Sequence, residues 1–173
     1  MAMRLRRRQF GALAVSACAS QATAATLPQL AGQPILTVSG AISNTNAATP
    51  KAVARFDRDM LEALGTTGFE TSTPWYDGPV RFDGVPMARL LQEVGATGST
   101  VTALALNDYS ADIPVSDFGR FGVILALKRN GAYMPVRDKG PLFVMYPFDA
   151  HPGLRTQLYY SRCAWQVSEL IVA

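Results

Sequence analysis

The fold is decided by the stretch at residues 123–136, VILALKRNGAYMPV. An apolar run is followed by Asn130-Gly131 and then by a second, shorter run that contains a tyrosine and a methionine. Asn-Gly between two such runs favours a β-hairpin, because both residues accept the positive φ angles of a tight turn. We therefore predict strands over residues 123–128 and 133–136, joined by a turn at residues 129–132.

Further strands and short helices are predicted on both sides of this hairpin. Apolar runs bounded by Gly, Pro or Asp predict strands over residues 35–40, 68–72, 80–82, 101–106, 142–146 and 165–172, with a turn over residues 74–79. Helical spacing of Leu and Met predicts helices over residues 55–64, 87–94 and 154–160. The sequence therefore predicts an α+β fold: a single compact domain with a mainly antiparallel mixed sheet and a few short helices.

The first 24 residues have the pattern of an export signal. Four arginines at positions 4, 6, 7 and 8 precede an apolar run over residues 10–19, and small residues lead to Ala24. This pattern predicts a periplasmic protein. Lipid anchoring at Cys18 stays open as an alternative, and Arg7-Arg8 leaves open whether export follows the general or the twin-arginine route.

The remaining chain is predicted to be a linker over residues 25–34 and one folded domain over residues 35–173. Four of the 16 Lys and Arg residues lie in the leader, so the rest nearly balance the 13 acidic residues. A nucleic-acid-binding protein needs a concentrated basic face, and this chain has only scattered cations. We therefore expect no nucleic acid partner. Without Cys18, Cys163 is the single cysteine, so no internal disulfide is expected.

Common catalytic motifs are missing from the sequence. His151 is the only histidine, which excludes a zinc site built on two histidines. No glycine-rich phosphate loop follows a strand, and no Gly-x-Ser-x-Gly turn is present. The triplet Asp117-Phe118-Gly119 lacks the other motifs of a protein kinase.

Three polar and aromatic loops lie at predicted strand ends: residues 71–75, 107–109 and 137–141. Such loops can line one concave pocket on a rigid sheet. Each also has an ordinary structural explanation, since Trp75 fits a core aromatic and Asn107-Asp108 fits a turn closed by side-chain-to-backbone hydrogen bonds. The residues alone leave both interpretations open.

These loops and Trp165 resemble the molybdopterin-binding domain of the sulfite oxidase superfamily. The sequence is more closely similar to the small exported pterin-binding signalling proteins of that superfamily, which consist of this domain alone. The resemblance covers about residues 35–173. It rests on Ser72-Thr73-Pro74-Trp75, Phe82-x-Gly84-Val85-Pro86, Ala105-Leu106-Asn107-Asp108-Tyr109, Ile113-Pro114, Arg137-Asp138-Lys139-Gly140-Pro141-Leu142 and Tyr146-Pro147.

The resemblance also indicates whether this chain has a ligand for molybdenum. The full enzymes of this superfamily carry a cysteine that ligates molybdenum. In relatives with a Cys-x-x-x-Trp pattern on this loop, the matching positions here are Thr71 and Trp75. A threonine hydroxyl cannot replace a thiolate, which is a soft metal ligand. Cys163 is expected to be a small buried residue and not a metal ligand. The resemblance therefore implies a pterin as ligand, with molybdopterin as a second option and no metal-binding residues.

The chemistry of a pterin suggests roles for the loop residues. A pterin has a flat aromatic surface and a 2-amino-4-oxo edge, so Trp75 and Tyr109 are candidate faces and Asp108 is the candidate acceptor at the edge. The ring carbonyl or the side-chain hydroxyls would meet Lys139 and the Gly140 backbone, and a phosphate would meet Arg162. The full predicted set is Thr71, Thr73, Trp75, Asn107, Asp108, Tyr109, Lys139, Gly140 and Arg162.

Three functions are compatible with this reading. The first, implied by the resemblance, is a periplasmic pterin-binding protein without catalytic metal. It would dock onto the periplasmic domain of a membrane signalling protein that controls cyclic di-GMP. The alternatives are a small molybdopterin-dependent oxidoreductase and a structural domain with an empty pocket.

Overall fold

The structure is a computed structural model and describes residues 27–48 and 51–173. The predicted export signal, residues 1–24, lies outside the described residues. Within the described residues no helix is long and apolar enough to cross a membrane. The strands are β1 (Leu36–Gly40), β2 (Ala54–Phe56), β3 (Thr67–Thr73), β4 (Tyr76–Pro86), β5 (Thr100–Ala105), β6 (Ser110–Pro114), β7 (Ile124–Arg129), β8 (Ala132–Tyr133), β9 (Phe143–Met145) and β10 (Val167–Val172). The helices are α1 (Arg58–Ala63), α2 (Met87–Glu93), α3 (Val115–Phe121) and α4 (Gln157–Arg162).

The described strands form two five-stranded sheets. The first has the order β2-β1-β10-β5-β6, and β1 and β10 pair in parallel while its other pairs are antiparallel. The second has the order β3-β4-β7-β8, with β9 also paired to β7. One hydrophobic cluster contains buried side chains from both sheets. The predicted α+β class and the mainly antiparallel pairing are confirmed, with the strands divided between two sheets.

The hairpin that the sequence predicted is present. β7 pairs antiparallel with β8, and Asn130 and Gly131 have φ angles of 49° and 79°. Both lie in the left-handed region that Asn and Gly adopt at low cost, which explains why this dipeptide makes the turn. The strand predicted over residues 133–136 is shorter than expected, because pairing stops after Tyr133.

The turn predicted over residues 74–79 is wrong in extent. The chain turns at Pro74 and Trp75 alone, and β4 then runs for 11 residues. Pro79 is tolerated in this strand because that part of β4 pairs only with β3, so the missing backbone N–H faces no second strand. This long strand places Trp75 at the tip of the β3–β4 hairpin.

The helix predicted over residues 55–64 is also shorter than expected. Its first residues form β2, and α1 starts after Asp57, whose carboxylate accepts a hydrogen bond from the Met60 N–H. Asp is a preferred residue at this position because its side chain satisfies a free N–H of the first helical turn. β2, β6 and α3 were not predicted from the sequence, and each is seven residues or shorter.

Asp57 also holds the segment that the sequence predicted as a linker. Its carboxylate accepts hydrogen bonds from the backbone N–H groups of Ala31 and Gly32 at 2.9 and 2.8 Å. Leu27, at the start of the described chain, is buried against the core. The hydrogen bond from Met60 and those from Gly32 and Ala31 lower the pKa of Asp57 despite its burial.

The substitution Asp57→Asn is expected to lower the free energy of unfolding by about 2 kcal/mol at pH 7, because the amide offers one acceptor where the carboxylate offers two. Because the pKa of Asp57 is lower in the folded than in the unfolded protein, the ionised carboxylate stabilises the fold at pH values above its unfolded pKa of about 4. This stabilisation is lost as the pH falls through the pKa of the folded state. Urea unfolding at pH 7 and pH 3 measures the difference. Asp59→Asn, on an exposed residue of the same helix, is the control. A difference of equal size at both pH values would contradict the prediction.

Candidate functional site

A pocket of about 410 Å³ lies where the β3–β4 hairpin, the β5–β6 turn and α4 meet. Its volume falls in the range of sites for small organic ligands. It is lined by Pro74, Trp75, Tyr109, Gln157, Tyr160, Ser161, Cys163 and Trp165. The structure therefore brings together two of the predicted site residues, Trp75 and Tyr109, with the Trp165 segment.

Half of the residues that line the pocket are aromatic. The Trp75 and Trp165 ring centroids are 5.8 Å apart at an interplanar angle of 74°, and Tyr160 packs on Trp75 at 6.0 Å. Tyr109 lies parallel to Trp165, with 6.4 Å between the ring centroids. Edge-to-face and stacked rings are favourable arrangements that hold one another in place. The pocket therefore presents fixed aromatic surfaces suited to a flat ring.

Trp75 packs against the hydrophobic core as well as lining the pocket. Its ring centroid is 5.5 Å from that of Phe143, which is fully buried, and Trp75 is partly buried against the main hydrophobic cluster. Trp75 therefore packs on the core and also lines the pocket. Any substitution of Trp75 affects stability and the pocket together.

The β5–β6 turn positions Tyr109. The Asn107 side-chain oxygen accepts a hydrogen bond from the Tyr109 N–H, and the Tyr109 hydroxyl donates to the Ser161 carbonyl oxygen at 2.6 Å. Asp108 lies in this turn with a φ of 63°, is exposed and does not line the pocket. A pterin-edge acceptor needs a buried carboxylate, and the Asp108 side chain is instead exposed to solvent, so the predicted role of Asp108 is wrong. Asn107 acts on the pocket through Tyr109.

Thr71 and Thr73 support the hairpin that carries Trp75. Thr71 is fully buried and its hydroxyl accepts a hydrogen bond from the Asp149 N–H at 3.1 Å. The Thr73 hydroxyl accepts from the Trp75 N–H at 3.4 Å. The Asp149 carboxylate in turn accepts from the Ser72 N–H and hydroxyl. Burial raises the pKa of Asp149, but the hydrogen bonds from Ser72 and Arg155 outweigh this, and the net pKa is lowered.

Lys139 and Gly140 do not line the pocket, but Lys139 lies close to Trp165. The Lys139 ammonium is 5.5 Å from the Trp165 ring centroid and 5.0 Å from that of Tyr76, and Lys139 makes no ion pair within the described ranges. Gly140 is buried, and a Cβ at this position would lie 1.8 Å from the Met134 carbonyl oxygen. Glycine is therefore required here for packing of the backbone. Lys139 remains a cation near the pocket rim.

Arg162 is directed away from the pocket. Its guanidinium lies 2.7 Å from the Asp117 carboxylate, which also accepts a hydrogen bond from the Tyr146 hydroxyl at 2.8 Å. Burial, followed by the hydrogen bond to Asp117, raises the pKa of Tyr146. The three side chains join the end of α4 to α3 and to the residue after β9. Arg162 thus holds the helix that forms the pocket wall and does not line the pocket.

The side chains present do not fit a thiolate-bound metal. Thr71 has no thiol, and its hydroxyl accepts a hydrogen bond from the Asp149 backbone. Cys163, the one free cysteine among the described residues, is buried, and this burial raises the pKa of its thiol. Among residues 27–48 and 51–173, no group of three or more His, Cys, Asp or Glu side chains is arranged to hold a metal ion.

Sequence analysis missed Gln157, Tyr160 and Ser161 as pocket residues. They lie at i, i+3 and i+4 on α4 and therefore share one face of that helix. The predicted helix over residues 154–160 contained part of this signal, but nothing in the sequence indicated which face meets Trp75. That information comes from the packing of α4.

Comparison with known proteins agrees with this description. The sequence profile of the oxidoreductase molybdopterin binding domain matches residues 36–149, and no curated protein matches the chain. Among solved structures, the sulfane dehydrogenase SoxCD from Paracoccus pantotrophus is similar, with a TM-score of 0.58 and 16% sequence identity. The match covers 79% of this chain and 37% of that chain, and at this identity it shows the fold alone. The chain belongs to the family of oxidoreductase molybdopterin binding domains, within the sulfite oxidase superfamily.

Proposed function

We propose that this protein binds a pterin in the pocket of Trp75, Tyr109 and Trp165, without a catalytic metal. The observation that carries the proposal is the aromatic pocket. The buried Thr71, which by the resemblance stands at the position of the metal-binding cysteine, supports the absence of a metal. We further propose that the protein acts in the periplasm and reports pterin occupancy to the periplasmic domain of a membrane protein that controls cyclic di-GMP. Family membership supports pterin binding, and the leader pattern supports export.

A hydrogen-bond donor for a pterin also lies close to the aromatic rings of the pocket. The Lys139 ammonium near Trp165 suits a ring carbonyl or a side-chain hydroxyl, since ammonium groups donate hydrogen bonds. Large apolar side chains are exposed on the two segments that flank the pocket, the β5–β6 turn and α4, with Leu106 and Leu158 each 55% exposed and Tyr109 43% exposed. Such a rim suits contact with a partner protein. A ligand changes partner affinity only when it binds the docking-competent state better, typically by about 1–3 kcal/mol.

The main alternative is a small molybdopterin-dependent oxidoreductase. Membership of the molybdopterin binding family favours it, and the missing thiolate at Thr71 opposes it. The two functions differ in the metal content and in the phosphate of the pterin that each protein carries.

The direct test is to express the full chain with its own leader, purify it from the periplasm and denature it. We expect pterin fluorescence near one equivalent per chain and molybdenum far below one equivalent by mass spectrometry. Equimolar molybdenum with a phosphorylated pterin would establish the oxidoreductase instead, and no released pterin would support an empty structural domain. For signalling, cells lacking the gene and cells carrying Trp75→Ala are expected to show the same change in cyclic di-GMP; wild-type levels with Trp75→Ala would contradict the relay.

A further inference from the structure

The pocket contains one side-chain amide, that of Gln157 at the start of α4. It makes no hydrogen bond or ion pair with any other described residue. The two neighbouring hydroxyls in the pocket wall are already hydrogen-bonded: that of Ser161 donates to the Leu158 carbonyl oxygen, and that of Tyr109 donates to the Ser161 carbonyl oxygen. Gln157 therefore offers the pocket a free donor and a free acceptor side by side.

The backbone of α4 holds Gln157 in place. The helix ends at Arg162, whose ion pair with the buried Asp117 joins it to α3, and the Tyr109 hydroxyl bonds the same end of the helix. Gln157 shares the face of α4 that carries Tyr160 and Ser161, and Tyr160 packs on Trp75. The amide therefore stands beside the aromatic surfaces on which a flat ring would stack.

We infer that Gln157 reads the N3–H and C4 carbonyl edge of a pteridine ring bound between the aromatic walls. The inference rests on the proposed pterin function and names the group that recognises the ligand. The amide oxygen accepts from N3–H and the amide nitrogen donates to the C4 oxygen, which pairs one donor and one acceptor on each side. Asp108, the acceptor expected from the sequence, is exposed and lies outside the pocket lining.

A hydrogen bond pair between Gln157 and this edge of the ring predicts which pteridines the pocket accepts. The N3–H and C4 carbonyl pair is common to pterin, which has a 2-amino group, and to lumazine, which has a 2-oxo group. An amide that reads this pair accepts both rings. A carboxylate at the same position needs two adjacent donors, which the N3–H and 2-amino groups of pterin supply and lumazine does not.

The test compares 6-hydroxymethylpterin with 6-hydroxymethyllumazine by titration with the full chain and two variants. The unmodified chain is expected to bind the two rings within about threefold of each other. Gln157→Glu is expected to prefer the pterin at least about tenfold, and Gln157→Leu to bind both rings at least about tenfold more weakly. Gln33→Glu, an exposed glutamine outside this pocket, is the matched control and should leave the ratio unchanged.

The outcomes separate the inference from the proposed function. If the unmodified chain binds neither ring, both are overturned. If it binds pterin but Gln157→Leu binds equally well, or Gln157→Glu leaves the pterin-to-lumazine ratio unchanged, only the assignment to Gln157 is overturned. Because Gln157 is exposed, the variants should unfold at the temperature of the unmodified chain, which thermal unfolding verifies.

Discussion

Trp75→Ala is expected to lower the affinity for pterin about 100-fold. Stacking of a flat heterocycle on an aromatic side chain is worth about 1–3 kcal/mol, and removal of the indole also frees Tyr160 and Trp165, which pack against it. The same substitution lowers the free energy of unfolding by about 3 kcal/mol, because Trp75 packs on Phe143 in the core. Titration well below the melting temperature of the variant separates the two effects.

Two control variants make the Trp75 result interpretable. Trp75→Phe keeps an aromatic surface and much of the packing, so we expect an affinity loss of about tenfold or less. Phe69→Ala removes a partly buried aromatic of β3 outside the pocket lining, so it should destabilise the fold while leaving pterin affinity unchanged. Unchanged affinity in Trp75→Ala would show that this ring forms only core.

Asp117→Ala is expected to cost about 3–4 kcal/mol of stability, the largest effect on folding among the predicted variants. Asp117 is 6% exposed, and its carboxylate holds both the Arg162 guanidinium and the Tyr146 hydroxyl. Its removal leaves a partly buried cation and a buried hydroxyl without their partner, and breaking a buried ion pair costs more than the pair is worth. Urea unfolding at pH 7 measures the loss.

A double variant tests the physical reason. Asp117→Leu combined with Arg162→Met removes both charges and retains side-chain volume, so it should recover at least about half of the stability lost in Asp117→Ala. We also expect Asp117→Ala to weaken pterin binding, because α4 loses its attachment to α3. Full pterin affinity in Asp117→Ala would show that α4 holds the pocket wall by other contacts.

The parts of the fold that sequence analysis predicted are those with a strong local signal. The Asn130-Gly131 hairpin, α2 after Pro86 and the final strand all follow from turn residues and apolar periodicity. β2 and β6 were missed because three and five residues carry too little periodicity. β4 was predicted too short because Pro79 and Gly78 suggest a turn, and only pairing with β3 keeps the chain extended there.

The candidate site was predicted in part for the same reason. Trp75 and Tyr109 are large aromatics at strand ends, and both line the pocket. Asp108 and Arg162 carry suitable chemistry, but the first side chain faces solvent and the second is paired with Asp117. Direction and partner of a side chain are decided by residues distant in sequence, which local patterns do not encode.

The sequence by itself determined the α+β class, the hairpin and the family resemblance, since each depends on residue type and local spacing. Only the tertiary structure decided that Trp75, Tyr109 and Trp165 form one pocket, that Thr71 supports the β3–β4 hairpin and that Gln157 joins the wall. The physical reason is that these contacts form between segments tens of residues apart. Their arrangement follows from packing of two sheets and α4 around one core.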